Sequence, residues 1–365
     1  MATTIYVIST QRFSGKTALC VGLLNWFQRQ GFAVGYMKPI STAARAIHNQ
    51  IVDEDAVFIK TTFNLPDPLE IMTPILLTDQ EVEAVLDGAD VQDFETRALG
   101  AYHAVARDKD IMVFEGGASL LEGWIINLAP PHLSKMLGTN ELVVVPYIGS
   151  LQVVDDLLTA RLRLGKSMLG GVINSVPKNR LSFVQEKIKA FVERHDIPIL
   201  AILPKDQVLM SVSVEELRDG LGGEVLCARH ALNELVEHLM VGAMSAESAL
   251  TYFRRESNMA VVTGGDRPDI QLAALETSTR CLILTGNLRP SPLIIGRAEE
   301  RGVPIILTHH DTLTAIEVIE NFFGKTRFHQ EKKVRHFEEL LDKYLDFGAL
   351  CKALEISTKP IKSGI

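Results

Sequence analysis

Short apolar runs alternate with stretches of helical periodicity over the first 205 residues. Most of these runs are apolar throughout rather than alternating with polar residues, which is typical of strands covered on both faces. The pattern therefore predicts an α/β fold with a mostly parallel sheet flanked by helices. The predicted strands are Thr4–Ser9, Ala33–Pro39, Asp110–Glu115, Glu141–Tyr147, Met168–Asn174 and Ile197–Leu203, and the predicted helices are Lys16–Gln30, Ala98–Arg107, Gln152–Leu164 and Ser182–Arg194.

A second, smaller α/β pattern begins after Pro204-Lys-Asp206. Ser213-Val-Glu-Glu216 has the spacing of a capping box, in which serine and glutamate side chains satisfy the first amides of a helix. These boundaries predict a domain at 1–206, a second at 207–328 and a helical tail at 329–365. In the second domain the predicted helices are Ala249–Arg254, Pro268–Thr277, Pro292–Arg301 and Asp311–Phe322, and the predicted strands are Met259–Thr263, Cys281–Thr285 and Pro304–Thr308.

Two segments are less easily assigned. The stretch Ala43–Asp93 is acidic and weakly periodic, as active-site loops and plain surface excursions both are. In the tail, apolar side chains recur at helical spacing, which predicts a helix that docks on its own protein or on a second copy. These side chains are Phe337, Leu340, Leu341, Tyr344 and Leu345.

The composition narrows the class of protein. Hydrophobic residues make up 47% of the chain and charged residues 22%, as in soluble globular proteins, and the net charge of −8 argues against a nucleic-acid partner. No apolar run approaches the roughly 20 residues of a membrane helix, and the first strand starts at Thr4, leaving no room for a signal peptide. The cysteines are widely spaced, which favours reduced thiols and a cytoplasmic location. They are Cys20, Cys227, Cys281 and Cys351.

The segment Thr10-Gln-Arg-Phe-Ser-Gly-Lys-Thr17, between the first strand and the first helix, reads as a phosphate-binding loop. In that pattern Lys16 reaches the β- and γ-phosphates, and Thr17 presents a hydroxyl to Mg²⁺. Thr10 stands where the pattern has its first glycine. The loop therefore predicts a nucleoside triphosphate ligand, or an inherited scaffold if Thr10 disables the site. The candidate phosphate-binding positions are Ser14, Gly15, Lys16 and Thr17.

A series of polar side chains lies at or near the ends of successive strands, where ligand sites of parallel sheets form. Lys38 closes the second strand, and Glu115 closes the third before two glycines that allow close backbone approach. Asp55 offers Mg²⁺ an oxygen ligand, and Asn174 offers an amide to a nucleotide base. Each has a structural alternative: a surface lysine, an exposed Glu beside a Gly-Gly turn, a solvated acidic turn, and an Asn satisfying its own turn.

The order of these motifs over residues 3–205 resembles the dethiobiotin synthetase-like P-loop family, whose enzymes use ATP and Mg²⁺ to form acyl phosphates. By that resemblance, Lys38 faces the second substrate or the γ-phosphate and Asn174 faces the adenine. Thr10 and Glu115-Gly-Gly117, which lacks the spacing residue of Glu-Gly-x-Gly-Gly, depart from the family pattern. The implied roles are catalysis for Lys16 and Lys38, nucleotide binding for Ser14, Gly15, Lys16, Thr17 and Asn174, and Mg²⁺ binding for Thr17, Asp55 and Glu115.

The segment Gly264-Gly-Asp-Arg267 lies between a predicted strand and a helix that starts at Pro268. Amides in such a turn form anion nests, and Arg267 offers a bidentate contact to carboxylate or phosphate. A tight turn with an Asp266–Arg267 surface pair explains the same residues. The half as a whole resembles a DRTGG domain, which implies ligand binding at Gly264, Gly265, Asp266 and Arg267. The matching stretches are Val241–Ser245, Gly264–Asp269, Leu284–Asn287, Gly302–Thr308 and Asp311-Thr312.

This order of domains resembles the N-terminal, non-catalytic half of long bacterial phosphotransacetylases up to about Phe328. Acetyl transfer in those enzymes resides in a further C-terminal domain, for which the tail after Gly324 is too short. The resemblance implies a stand-alone, homo-oligomeric regulatory protein that binds ATP-Mg²⁺ and senses a second small ligand. It implies at most a slow ATPase or ATP-dependent carboxylate ligase, and not a phosphotransacetylase. The alternatives are a ligase of the dethiobiotin or cobyrinate diamide type and an oligomeric scaffold with a dead nucleotide site.

Overall fold

The computed structural model describes residues 2–47, 50–323 and 328–357 and divides the chain into two units. The first unit combines Met1–Lys205 with Phe328–Ile365, and the second unit is Asp206–Arg327. The chain therefore leaves the first unit at Lys205 and returns to it at Phe328. Within the described ranges, every helix is too short or too polar to cross a membrane.

Six of the strands in the first unit form one parallel sheet, as the apolar runs predict. The strands in chain order are β1 (Thr3–Ser9), β2 (Val34–Met37), β3 (Ile40–Ser41), β4 (Ala44–Ile47), β5 (Gln50–Asp53), β6 (Ile75–Leu76), β7 (Ile111–Glu115), β8 (Asn140–Pro146), β9 (Met168–Val176) and β10 (Ile199–Pro204). The sheet order is β10-β9-β8-β1-β7-β2, and β4 and β5 form a separate antiparallel pair. The predicted strands are confirmed, with ends shifted by a residue or two.

Helices cover both faces of this sheet, so its central strands are buried on both sides, and Ile5 and Val7 of β1 are fully buried. The helices before the second unit are α1 (Lys16–Arg29), α2 (Glu54–Phe63), α3 (Leu69–Met72), α4 (Asp79–Leu86), α5 (Gln92–Val105), α6 (Pro130–Leu137), α7 (Ser150–Leu164), α8 (Leu181–Phe183) and α9 (Ala190–Glu193), the last two being joined by a π-helical segment, Val184–Lys189.

The stretch Ala43–Asp93 is more regular than its sequence indicates. It holds the β4–β5 pair and the helices α2, α3 and α4, and it ends in the first turn of α5. The weak periodicity of α4 has a physical cause, because none of its residues is buried, whereas α2 buries Ala56, Ile59 and Phe63.

The second unit contains a five-stranded sheet of order β12-β17-β16-β15-β14, parallel except for the β12 edge. Ser213 caps the helix that follows it, and the predicted capping box with Glu216 is confirmed. The strands are β11 (Val212–Ser213), β12 (Glu224–Cys227), β13 (Leu235–Val236), β14 (His238–Val241), β15 (Met259–Gly264), β16 (Thr279–Thr285) and β17 (Ile305–Leu307), and the helices are α10 (Gln207–Met210), α11 (Val214–Leu221), α12 (Ala246–Phe253), α13 (Pro268–Leu275), α14 (Pro292–Arg301) and α15 (Thr312–Glu320).

The tail forms two helices, α16 (Glu331–Tyr344) and α17 (Phe347–Ala353), that pack on the first unit. A Cβ built on Gly22 of α1 would lie 2.1 Å from Leu341, so the two helices touch where α1 has no side chain. The rings of Trp26 and Phe347 stack at 4.3 Å. Leu345 forms an antiparallel bridge with Ala201 of β10. The predicted apolar stripe of the tail therefore packs on its own protein.

Candidate nucleotide-binding site

The predicted phosphate loop connects β1, which ends at Ser9, to α1, which begins at Lys16. Gly15 has a φ of 92°, a left-handed conformation that favours glycine. A Cβ at Gly15 would lie 2.5 Å from Nδ2 of Asn174, so both the backbone angle and the contact require glycine there. The buried Lys16 donates through Nζ to the Ser9 hydroxyl at 3.0 Å. Burial lowers the pKa of Lys16, and the nearby charge of Glu115 offsets that shift only in part.

Thr10 fixes the start of the loop to the helix α7. Its hydroxyl donates to Oδ2 of Asp156 at 2.7 Å, and the Gln11 amide donates to the same oxygen at 3.1 Å. Among the described residues of the loop, the non-glycine residue with positive φ is Phe13 at 54°, and Thr10 is not one. The position that usually holds glycine therefore needs no left-handed backbone in this protein, and threonine fits it without strain.

Asn174, at the end of β9, holds the loop rather than standing free. Its Nδ2 donates to the Ser14 carbonyl at 2.8 Å, and its Oδ1 accepts from the Ser175 amide at 2.8 Å. The structural alternative for Asn174, satisfying its own turn, is thus present together with a contact to the loop. The Ser14 hydroxyl is buried and has no hydrogen-bond partner in the described part of the chain.

Glu115, at the end of β7, joins the loop to the neighbouring strand. The Thr17 hydroxyl donates to its Oε1 at 2.7 Å, and the Tyr36 hydroxyl donates to its Oε2 at 2.9 Å. Glu115 is buried, and burial raises the pKa of its carboxyl to about 7 against the opposing charge of Lys38.

Lys38 binds the carboxylates of Asp53 and Asp55 in the segment Asp53-Glu-Asp55. Its Nζ lies 2.8 Å from Oδ2 of Asp53, 2.8 Å from Oδ2 of Asp55 and 4.0 Å from Oε1 of Glu115. Burial alone would lower the pKa of Lys38, but the three negative charges outweigh it and hold the pKa well above its usual range. Lys38 is thus a buried cation and not a surface lysine.

Sequence reasoning selected Asp55 and passed over Asp53. Asp53 caps α2 by accepting from the Ala56 amide at 3.0 Å, and its other oxygen takes the Ser41 hydroxyl as well as Lys38. The signal for the cap was available, since an Asp before a helix is favoured at that position. Tyr36 was missed because it lies within an apolar strand, where a tyrosine reads as core.

His329 is a site residue that the sequence did not indicate. Its Nε2 lies 3.0 Å from Oδ1 of Asp55, 274 positions earlier in the chain. Burial raises the pKa of Asp55, but the hydrogen bond to His329 and the charge of Lys38 outweigh it and hold the pKa well below its usual range. The His329 ring stacks on Phe58 of α2 with centroids 4.7 Å apart.

The residues proposed for Mg²⁺ fit that ion by type, because Thr17, Asp55 and Glu115 all offer oxygen. Within the described ranges, no group of three or more His, Cys, Asp or Glu side chains is arranged to hold a metal by itself. That agrees with Mg²⁺, which proteins usually hold through one or two carboxylates while phosphate oxygens and water complete the shell. In this structure the three side chains bind one another or Lys38.

In the second unit, the segment Gly264–Arg267 makes the turn after β15. A Cβ on Gly265 would lie 1.8 Å from the Leu288 carbonyl oxygen, so the turn packs directly on the neighbouring backbone. The Arg267 guanidinium forms two hydrogen bonds with Asp269 and one with the Met244 carbonyl. Arg267 therefore pairs with Asp269 rather than with the adjacent Asp266, which the sequence suggested.

The carboxyl ends of β14 to β17 lie at one edge of the second sheet, and the stretches that resemble a DRTGG domain meet there. The Gly265 amide donates to the Thr285 carbonyl, and the Gly286 amide donates to the His310 carbonyl. The hydroxyls of Thr285 and Thr312 are 2.9 Å apart. Gln271 is fully buried and donates to the carbonyls of both turn glycines, Gly264 and Gly265.

Two family models match the chain: an AAA domain over residues 3–213 and a DRTGG domain over residues 216–322. The phosphate acetyltransferase of Synechocystis sp. is 26% identical over 376 aligned residues, covering 97% of this chain and 52% of that protein. The phosphate acetyltransferase of Nitratidesulfovibrio vulgaris is 24% identical over 374 aligned residues, covering 96% and 51%. The chain thus spans about half the length of the curated relatives it matches.

One solved structure with partial similarity contains the CBS and DRTGG domains of the regulatory region of Clostridium perfringens pyrophosphatase, complexed with its activator diadenosine tetraphosphate. It is 22% identical, covers 43% of this chain and 74% of that chain, and has a TM-score of 0.29.

The phosphate acetyltransferases contradict the expectation that the chain is at most a slow ATPase or carboxylate ligase and not a phosphotransacetylase. That expectation was wrong because it rested on the length of the tail after Gly324, and the point at which a sequence stops does not determine an activity. The AAA domain match covers more than half of the chain. The chain therefore belongs to the AAA domain family, with a DRTGG domain after its P-loop domain and homology to phosphate acetyltransferases over 97% of its length.

Proposed function

We propose that the first unit binds ATP with Mg²⁺ and that the chain acts as a regulatory, ligand-sensing module of phosphate acetyltransferase-type proteins. The observation that carries the proposal is the hydrogen bond from Thr17 to Glu115. This bond joins the phosphate loop to the acidic cluster, which consists of Lys38 and the carboxylates of Asp53, Asp55 and Glu115. A loop hydroxyl beside a strand-end carboxylate is the arrangement in which P-loop proteins hold Mg²⁺.

The charge around Lys16 supports an anionic ligand. Three carboxylates surround Lys38, whereas the buried Lys16 donates to the neutral hydroxyl of Ser9. The charge of Glu115 offsets the burial of the Lys16 ammonium only in part, and the phosphates of a nucleotide would add negative charge at the start of α1. The Ser14 hydroxyl, buried and unpartnered within the described residues, is a further donor at the same place.

Mg²⁺ would enter between the loop and the acidic cluster. Thr17 would turn its hydroxyl from Glu115 to the metal, and Glu115 and Asp55 would offer carboxylate oxygens. When bound, the metal would neutralise charge on the β- and γ-phosphates.

A regulatory role is supported by the combination of units. A P-loop domain and a DRTGG domain together align with the phosphate acetyltransferases along nearly the whole chain. We assign the second small ligand to the edge where Gly264–Arg267 and the Gly286 turn meet. The homo-oligomer stays a prediction, which light scattering coupled to size exclusion would test.

Calorimetric titration tests the nucleotide site directly. The intact chain is titrated with ATP, ADP and GTP in Mg²⁺ and in EDTA, and Lys16→Ala is compared with Lys166→Ala, an exposed lysine outside the site. Loss of one charge-assisted contact is expected to weaken ATP binding by about ten- to a hundredfold in Lys16→Ala. Lys166→Ala should bind as the wild type does.

Absence of binding to every nucleotide would contradict the proposal and favour the scaffold with a dead site. Equal affinity of Lys16→Ala and wild type would also contradict it, since the phosphates would then lie elsewhere. To test the regulatory part, acetyl transfer between acetyl phosphate and coenzyme A is measured with and without ATP. A rate that is present but independent of ATP would contradict regulation by this site.

A further inference from the structure

The residues at which the chain leaves and re-enters the first unit lie close to the candidate site in that unit. Where the chain leaves the first unit, the Lys205 amide donates to the Val176 carbonyl at 2.7 Å, two positions after Asn174. Where it returns, Phe328 and His329 are the first described residues, and His329 contacts Asp55 at 3.0 Å. Within the first unit, the exit of the chain is thus bonded two positions from Asn174, and its return contacts Asp55 directly.

The return segment is held in place by ring contacts. The His329 ring lies at 27° to Phe58 with centroids 4.7 Å apart, and the Phe328 ring meets the edge of Phe337 at 5.5 Å. Phe337 is buried against α1. His329 therefore contacts Asp55 from a segment that ring packing holds in place.

Asp55 divides its two oxygens between two partners. Oδ2 binds Lys38 and Oδ1 binds His329. A Mg²⁺ ion that takes Oδ1 of Asp55 would compete with His329 for that oxygen, and Lys38 keeps Asp53 at 2.8 Å in either case. Displacement of His329 is the smaller loss for the cluster, because the imidazole side chain is about one-fifth exposed whereas Lys38 is buried.

We propose that His329 is a positioning residue that couples the nucleotide site to the second unit: binding of Mg²⁺-nucleotide takes Asp55 away from His329 and unseats the return segment. The inference rests on the proposed function and adds the route by which the site communicates. Because coupling between two sites is reciprocal, any ligand or contact that stabilises the return segment in this position should lower the affinity for Mg²⁺-nucleotide.

The direction of the effect is specific. In His329→Ala, binding no longer has to break the contact with Asp55, so Mg²⁺-nucleotide should bind about two- to tenfold more tightly than in the wild type. In EDTA the affinity should be unchanged, since the metal is what competes for Asp55. A residue with a merely structural role would leave the affinity equal or lower when removed. His329→Gln retains a donor for Oδ1 and should restore affinity towards the wild-type value.

The experiment combines calorimetry with hydrogen exchange on the intact chain, using the non-hydrolysable analogue AMP-PNP at fixed pH. In the wild type, Mg²⁺-AMP-PNP should speed amide exchange at residues 328–337 and alter exchange in α15. In His329→Ala, exchange at 328–337 should be fast from the start, and α15 should no longer respond. His336→Ala, a partly exposed histidine within α16 and beside Glu339, is the matched control and should behave as the wild type does.

The outcomes separate the two proposals. If no variant binds the analogue, the proposed function fails and this inference fails with it. If the wild type binds but α15 and residues 328–337 do not respond, only the coupling is overturned. It is likewise overturned if His329→Ala binds with equal or lower affinity while its melting temperature matches the wild type.

Discussion

The hydroxyl of Thr17 donates to Glu115 at 2.7 Å across 98 positions of sequence, and this bond joins the phosphate loop to the third predicted strand. Thr17→Ala removes the hydroxyl that both Glu115 and a metal would use. We expect ATP affinity in Mg²⁺ to fall about tenfold and ATP affinity in EDTA to stay unchanged. Titration calorimetry under the two conditions measures this. Thr96→Ala, an exposed threonine of α5, is the control, and an equal loss in EDTA would argue against a metal role.

Thr10 is expected to support the loop and not to impair it. Thr10→Gly restores the usual glycine but removes the 2.7 Å bond to Asp156, so ATP should bind about two- to tenfold more weakly than in the wild type. Asp156→Ala, which also frees Gln11, should have a larger effect in the same direction. A gain of affinity in Thr10→Gly would show instead that the threonine hinders phosphate binding.

Glu141 should make stability depend on pH. It is fully buried at the start of β8, it accepts from the Ser134 and Thr139 hydroxyls, and burial raises the pKa of its carboxyl from 4.5 to about 7. The pKa of Glu141 is higher in the folded state than in the unfolded state, so protonated Glu141 contributes to the free energy of unfolding. That contribution is fully present below about pH 4.5 and is lost as pH rises through about 7.

The variant Glu141→Gln should remove that pH dependence. Between pH 5 and pH 8 the free energy of unfolding should fall more in the wild type than in the variant, by on the order of 3 kcal/mol at most. Urea unfolding at several pH values measures the difference. Parallel pH profiles for the two proteins would contradict it.

Gly265 and Gly296 should respond in opposite directions to alanine. A Cβ at Gly265 meets a backbone carbonyl at 1.8 Å, so the turn must move, and the second unit should lose about 2 kcal/mol or more. Gly296 lies within α14 with no atom within 4 Å of a Cβ, and Gly296→Ala should add about 0.5–1 kcal/mol through helix propensity. Thermal unfolding followed by hydrogen exchange in residues 206–323 compares the two.

The sheet and the strand-end residues were predictable because their signals are local. A run such as Ile5–Ile8 is buried on both faces, and the sheet topology brings Lys38, Glu115 and Asn174 to one edge. The contact of His329 with Asp55 was not predictable, since no local pattern connects residues so far apart in sequence. The ion pairs of Lys38 with both Asp53 and Asp55 were not predictable for another reason. An Asp that caps a helix, as Asp53 does, looks the same in sequence as an Asp that pairs with a lysine.

The bridge between Leu345 and Ala201 has a consequence for colloidal behaviour. β10 is the last strand of the first sheet, and such a strand presents unpaired amides and carbonyls that can recruit a strand from another molecule. Leu345 forms a bridge with this edge strand at Ala201, and the Asp346 amide donates to the Leu200 carbonyl at 2.9 Å. The returning tail thus acts as a cover against intermolecular strand addition. A variant truncated before residue 328 would expose the edge of β10 and should precipitate at concentrations at which the intact chain remains in solution.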